Sequence, residues 1–278
     1  MQWRGRRTSR NIEDRRGMSG GAVGGIGGVG LIAVLAIGYF FGIDVTPLLQ
    51  QGGGGGQTQI TAEDEQVGEF VSVTLADTEE VWADVFRQQL GETYVPTTLV
   101  LFKGVTQSPC GGASGATGPF YCPGDEKVYL DTAFFTTMAR QLGAGGDFAA
   151  AYVVAHEVAH HVQNELGILG QANTMRQNAD TETSNAISVR IELQADCFAG
   201  LWAARADDRF GTLEPGDIDE AMNAAARIGD DALQRGSGRA PRPETFTHGT
   251  SDQRQRWFAA GYRGGSIDAC DTFGANRL

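Results

Sequence analysis

His156, Glu157 and His160 lie in the run HEVAH. Residues four apart on a helix share a face. Two imidazoles at that spacing can therefore grip one metal ion, with the intervening carboxylate at the rim of the site. This is the H-E-x-x-H arrangement of zinc hydrolysis, in which the histidines bind the ion and the glutamate serves as general base. The chain has four histidines, and three of them (His156, His160, His161) crowd into this stretch, while His248 stands alone downstream. His161 directly follows His160, so its ring points about 100° around the helix. It is expected beside the site or at the surface, not on the same ion.

Catalytic zinc takes three protein ligands and keeps one position for water. Glu192, in RIELQADCFAG, is the candidate third ligand. Asp196 follows four residues later on the same helical face, where it can accept the free N–H of a ligand histidine. Both stretches are apolar around these groups: Ala151 to Val162 on one, Ile187, Ile191, Leu193, Phe198, Leu201 and Trp202 on the other. Ionisable groups in helices that buried need partners or a metal. The oxyanion of a hydrolytic transition state needs a second donor. His248, in THGTSDQR, is the candidate, with Tyr129 and Tyr262 as rivals.

The elements that must position these groups are mostly helical. Val67 to Leu90 has helical apolar spacing, in two parts with Asp77 or Thr78 capping the second. Strands are expected at Thr98 to Phe102 and Lys127 to Leu130, with a loop between Cys110 and Cys122. Asp131 and Asp147 can cap the two helices that follow, and the second of these carries HEVAH to about Leu166. A polar connection (Gln171 to Ser184) leads to a helix from Ala186 to Arg205. Pro215 opens a further helix to about Gln234, and Ser251 caps a last one. The implied fold class is α+β, mainly helical, with a small sheet ahead of the HExxH helix.

The N-terminal part differs from the rest. The first 17 residues carry six Arg and two acids, and the remainder carries 16 Lys+Arg against 32 Asp+Glu. So acidic a body repels phosphate, which argues against nucleic acid as a partner. Residues 22–43 contain no charge, and their second half, LIAVLAIGYFFGI, is strongly apolar. Their length suffices for a transmembrane helix, and the preceding arginines place the N-terminus in the cytoplasm and the body outside. A cleaved signal peptide is the competing reading, although no A-x-A site follows. Gly20, Gly24 and Gly28, and again Gly38 and Gly42, have the small-xxx-small spacing that pairs membrane helices, so self-association could occur there. Gly52 to Gly56 forms a flexible tether. The expected organisation is a basic cytoplasmic segment (1–21), a transmembrane helix (22–43), a Gly-rich linker (44–60) and the catalytic domain (61–278). Four cysteines fit an oxidising exterior. Cys110 and Cys122 are the expected pair, leaving Cys197 with Cys270.

The strings VVAHEVAHHVQ, ELQADCFAG and THGTSDQR, in that order, resemble the bacterial neutral zinc metallopeptidase family. The resemblance covers nearly the whole chain, including the basic segment, the apolar stretch and the Gly-rich linker. More broadly the layout is similar to gluzincins, where Glu is the third ligand. It implies a zincin-like peptidase domain with Zn2+ as cofactor, and the predicted topology points to a peptide or protein of the cell envelope or exterior as substrate. In gluzincins a downstream His or Tyr is the oxyanion donor, so the resemblance supports that role for His248 or for its rivals Tyr129 and Tyr262. By the same analogy the strand Val128, Tyr129, Leu130 is expected to be an edge that pairs with extended substrate. Two other functions remain open on these residues: a non-catalytic zinc-containing scaffold that binds envelope proteins, and a hydrolase of non-peptide amides.

Overall fold

The computed structural model describes residues 1–17, 59–114 and 118–278. The apolar stretch 22–43, its glycine spacings and the Gly52 to Gly56 run lie outside the described residues. Among the described residues, no helix is long and apolar enough to cross a membrane.

The protein is mainly helical with a small mixed sheet. The elements run β1 (Ile12–Asp14), α1 (Ala62–Val85), β2 (Thr98–Phe102), β3 (Val105–Ser108), β4 (Gly111–Ser114), β5 (Phe120–Cys122), β6 (Lys127–Asp131), α2 (Ala133–Gln141) and α3 (Asp147–Glu165). After them come α4 (Ile168–Gln177), α5 (Thr181–Phe210), α6 (Asp217–Arg227), α7 (Asp230–Gly236) and α8 (Ser251–Gly264). The main sheet has the order β1-β2-β6-β5. β1 and β2 are parallel, as are β2 and β6, while β5 is antiparallel to β6. β3 and β4 form a separate hairpin.

This topology corrects one expectation. Val128, Tyr129 and Leu130 are not at an edge: β6 is paired on one side with Leu99 to Leu101 and on the other with Phe120 and Tyr121. Its ladder groups are already taken, so it cannot add a substrate strand. β5 is the outer strand instead, and it lies against α3. The loop expected between Cys110 and Cys122 holds two short strands, because the hairpin and β5 satisfy the backbone there.

Residues 1–17 also depart from expectation. They do not stand apart from the folded domain. β1 extends its sheet, Trp3 is buried edge-on to Phe70, and the arginines reach acids of α1.

The helices α3 and α5 form the centre. Fifteen of the nineteen residues of α3 are buried. A helix buried all round shows no amphipathic stripe, so its HEVAH face is framed by Ala and Val on every side. α8 packs along α5 with unusually close backbones. A Cβ on Gly200 would lie 2.0 Å from the Phe258 carbonyl oxygen, and one on Gly261 would lie 1.8 Å from that of Cys197. No side chain larger than hydrogen fits either position. The disulfide Cys197–Cys270 staples α5 to the C-terminal turn, and Cys110–Cys122 closes the loop before β6. Both are the expected pairs.

Boundaries differ where buried partners override local signals. α1 is one continuous helix. Asp77 does not cap a second part but binds Arg6 from mid-helix, and Thr78 donates to the Leu75 carbonyl. The polar connection after α3 contains α4. The helix expected from Pro215 breaks at Gly229, where a Cβ would lie 2.5 Å from the Ser251 nitrogen. Thr250, not Ser251, caps α8 in a capping box with Gln253.

α1 starts with a capping box as well: Thr61 accepts from the Asp64 nitrogen, and Asp64 accepts from the Thr61 nitrogen. The Asp64 carboxylate also binds Lys103 at 2.6 Å and Thr132 at 2.9 Å. Burial opposes its charge, but Lys103 and the hydroxyl donors hold its pKa far below the usual carboxylate value. A depressed folded-state pKa stabilises the fold above the unfolded value and is lost as pH falls. Asp64→Asn should therefore cost about 2 kcal/mol in urea denaturation at neutral pH. That difference from wild type should shrink as pH drops below about 4; a gap that persists unchanged at low pH would show that the charge is not responsible.

Candidate metal centre

The HEVAH turn of α3 faces the middle of α5. His156 Nε2 lies 3.1 Å from Glu192 Oε2, and His160 Nε2 lies 3.6 Å from Glu192 Oε1. The ligand atoms of all three residues fall within 4.8 Å of one another. The two rings are perpendicular, with centroids 4.9 Å apart. Helical periodicity accounts for the histidines, and the close approach of α5 brings in the carboxylate.

Each imidazole is oriented from behind. His156 Nδ1 is 2.9 Å from Asp196 Oδ1, and His160 Nδ1 is 2.8 Å from Gln163 Oε1. Acceptors on both Nδ1 atoms favour hydrogen there, so that both Nε2 atoms are available to a metal ion shared with Glu192. Gln163 is held in turn: its amide nitrogen donates to the Ile191 carbonyl and to Gln194, and Gln194 donates to the Cys270 carbonyl. Two aimed Nε2 atoms and one carboxylate are the donor set zinc prefers, so these residues fit the ion.

Asp196 is completely buried and accepts from several donors. Arg254 on α8 grips it through Nε at 2.8 Å and Nη2 at 2.9 Å, and the Tyr152 hydroxyl donates to it. Burial works against the carboxylate charge, but Arg254 and then His156 overcome it and lower its pKa to about 2. Asp196 is therefore an anion throughout the working range. An unpaired charge at this depth would cost several kcal/mol, and Arg254 removes that cost. Gln163, Tyr152 and Arg254 were not anticipated from sequence. Gln163 had a usable signal, since it sits three residues after His160 on the same helix. Arg254 had none, because its partner is 58 residues away.

Glu157 is buried beside the ligands. Burial pushes its pKa up, the charges of His156 and His160 pull it down, and Glu192 adds to the rise; the net effect is upward. His248 sits before α8 with its backbone nitrogen and Nδ1 on Asp230, at 2.6 and 3.3 Å. Its side chain is 39% accessible. Burial opposes its protonation, but the fields of Glu192 and Asp230 raise its pKa. Gly249, the next residue, lies against the Leu193 and Val189 side chains of α5, the helix that carries Glu192.

The rivals for that place lie elsewhere. Tyr129 stacks on Phe120 and donates to Asp125 on the opposite face of the sheet. Tyr262 feels Asp207 and Asp208, near the far end of α5. His161 is turned away from Glu192, as its position on the helix requires, but it is not at the surface. It is buried, with Nε2 2.7 Å from the Val95 carbonyl and Nδ1 3.2 Å from the Tyr121 hydroxyl, and so ties α3 to β5. Asp147, Asp217 and Glu220 also converge. The Met1 ammonium sits 2.7 Å from Asp147 and 3.3 Å from Asp217, and Glu220 accepts from the Phe148 nitrogen, so that group is already satisfied.

The chain is similar to known proteins along most of its length. The chain is 45% identical over 288 residues to "Uncharacterized protein YpfJ" of Escherichia coli (strain K12), covering 99% of each chain. It is 47% identical over 195 residues to "Uncharacterized protein Rv2575" of Mycobacterium tuberculosis, covering 66% of this chain and 65% of that one. No solved structure matches. The family described as "Putative neutral zinc metallopeptidase" matches residues 1–273. With its two imidazoles and a carboxylate converging at the centre, the chain belongs to that zinc metallopeptidase family.

Proposed function

We propose that this protein is a zinc-dependent endopeptidase, with His156, His160 and Glu192 as ligands and Glu157 as general base. The observation that carries the reading is the convergence of both Nε2 atoms on Glu192 while both Nδ1 atoms are tied off behind. A zinc ion held there would polarise a peptide carbonyl and acidify a water. Glu157 takes the proton of the attacking water and hands it to the leaving amine. Its raised pKa suits the first half of that transfer, because a more basic carboxylate takes the proton of the water more readily. His248, anchored by Asp230, is the donor to the oxyanion. Arg254 and Asp196 hold the His156 ring still throughout.

Substrate pairing, withdrawn from β6, falls to β5, the outer strand beside α3. A scaffold would have no use for a buried Glu157 next to the ligand set, which favours catalysis over that alternative. Attachment to a membrane through residues 22–43 and an oxidising location are part of the same reading, and the two disulfides support the location.

Digestion of a peptide library, with and without a chelator, tests the activity directly. Glu157→Gln should keep its zinc and lose about 10²–10⁴ in cleavage rate; unimpaired cleavage would refute the general-base role. His248→Phe should lower kcat by about 10²–10³ with little change in KM. A change confined to KM would instead make it a substrate-binding group. Asp196→Asn should weaken zinc binding about 10–100-fold in a chelator competition, and wild-type affinity in a folded variant would remove its orienting role.

A further inference from the structure

We propose that residues 1–17 and the metal-site domain lie on the same side of the membrane, so that the apolar stretch 22–43 does not separate them. This inference is independent of the zinc chemistry. It rests on how the arginine-rich segment is seated.

β1 is a strand of the domain's own sheet, with Ile12, Glu13 and Asp14 in register with Leu99, Val100 and Leu101. Its ladder continues at both ends, from the Leu99 nitrogen to the Asn11 carbonyl and from the Arg15 nitrogen to the Leu101 carbonyl. Before it, the Ser9 nitrogen donates to the Ser72 carbonyl of α1 at 3.0 Å, and the Ser72 hydroxyl donates back to the Ser9 carbonyl. Three of the six arginines reach carboxylates of α1. Arg6 makes a two-pronged pair with the buried Asp77 at 2.6 and 2.8 Å. Arg7 reaches Glu79 and Glu80, and Arg16 reaches Asp14 and Glu65. The buried Arg16 guanidinium occupies a notch at Gly68, 2.8 Å from where a Cβ would stand.

Two consequences follow. First, Gly17 packs against the Ile60 side chain. The chain therefore leaves the domain and returns to it at one place, and a hydrocarbon layer of about 30 Å cannot stand between those points. Second, half of the arginines in the cationic signal that would hold the N-terminus inside are paired with carboxylates of α1. The acidic face of α1 is thus a receptor whose ligand is the chain's own basic segment.

The test uses the full-length protein in intact cells. Thr8 and Met175 are both exposed, one on the basic segment and one on α4. Thr8→Cys and Met175→Cys, made singly, are treated with a membrane-impermeant maleimide before and after permeabilisation. The expected ratio of labelling between the two sites is near one under both conditions. Labelling of Met175→Cys in intact cells, with Thr8→Cys reacting only after permeabilisation, would overturn the proposal. Reaction of both only after permeabilisation would uphold it and overturn the oxidising location.

Discussion

One buried carboxylate organises the centre of this protein. Asp196 sits on α5, orients His156 of α3, takes the Tyr152 hydroxyl from the same helix, and is neutralised by Arg254 of α8. Three helices thus meet on a single anion that water cannot reach. Such a group is costly unless every lone pair is used, and here each oxygen has a charged or aromatic donor. The converging imidazole of His156 inherits its position from it. Without Asp196 the His156 ring could turn, and without Arg254 Asp196 would have no reason to remain charged.

The second imidazole is held by a different means. Gln163 accepts from His160 and donates to α5 and Gln194, which continues to the carbonyl of a disulfide-bonded cysteine. One ring is therefore set by charge and the other by neutral amides. The ligand nearer the charged network carries the stronger base, since an anionic acceptor at Nδ1 raises imidazole basicity more than an amide does.

Much of this site could be read from the sequence because its parts are local. His156, Glu157 and His160 lie within one helical turn, and Glu192 and Asp196 within another, so spacing alone states what each helix offers. The apolar residues around them announced burial. What the sequence concealed was between helices: Arg254 pairs with an acid far away in the chain, and no periodicity points to it. The sheet was misjudged for a similar reason. Lys127 to Leu130 reads as a strand, but whether a strand is inner or outer depends on its neighbours, and the three residues of β5 are too short to announce themselves. Residues 1–17 misled by composition, since a basic run beside an apolar one resembles a topology signal until its carboxylate partners on α1 are seen. Asp77 looked like a helix cap for the same reason, because Arg6 was not in view.

The glycine contact between α5 and α8 has a mechanical meaning. With Gly200 and Gly261 pressing backbone on backbone, these helices can neither slide nor spread, and they behave as one rigid block. That block carries Glu192, Asp196 and Arg254, while α3 and the sheet carry the two imidazoles and Glu157. Any breathing of the domain would run along the seam between the two halves, which the His156–Glu192 and His156–Asp196 contacts cross. The ion would then act as a clasp as well as a reagent, and emptying the seam would free its two sides to move apart.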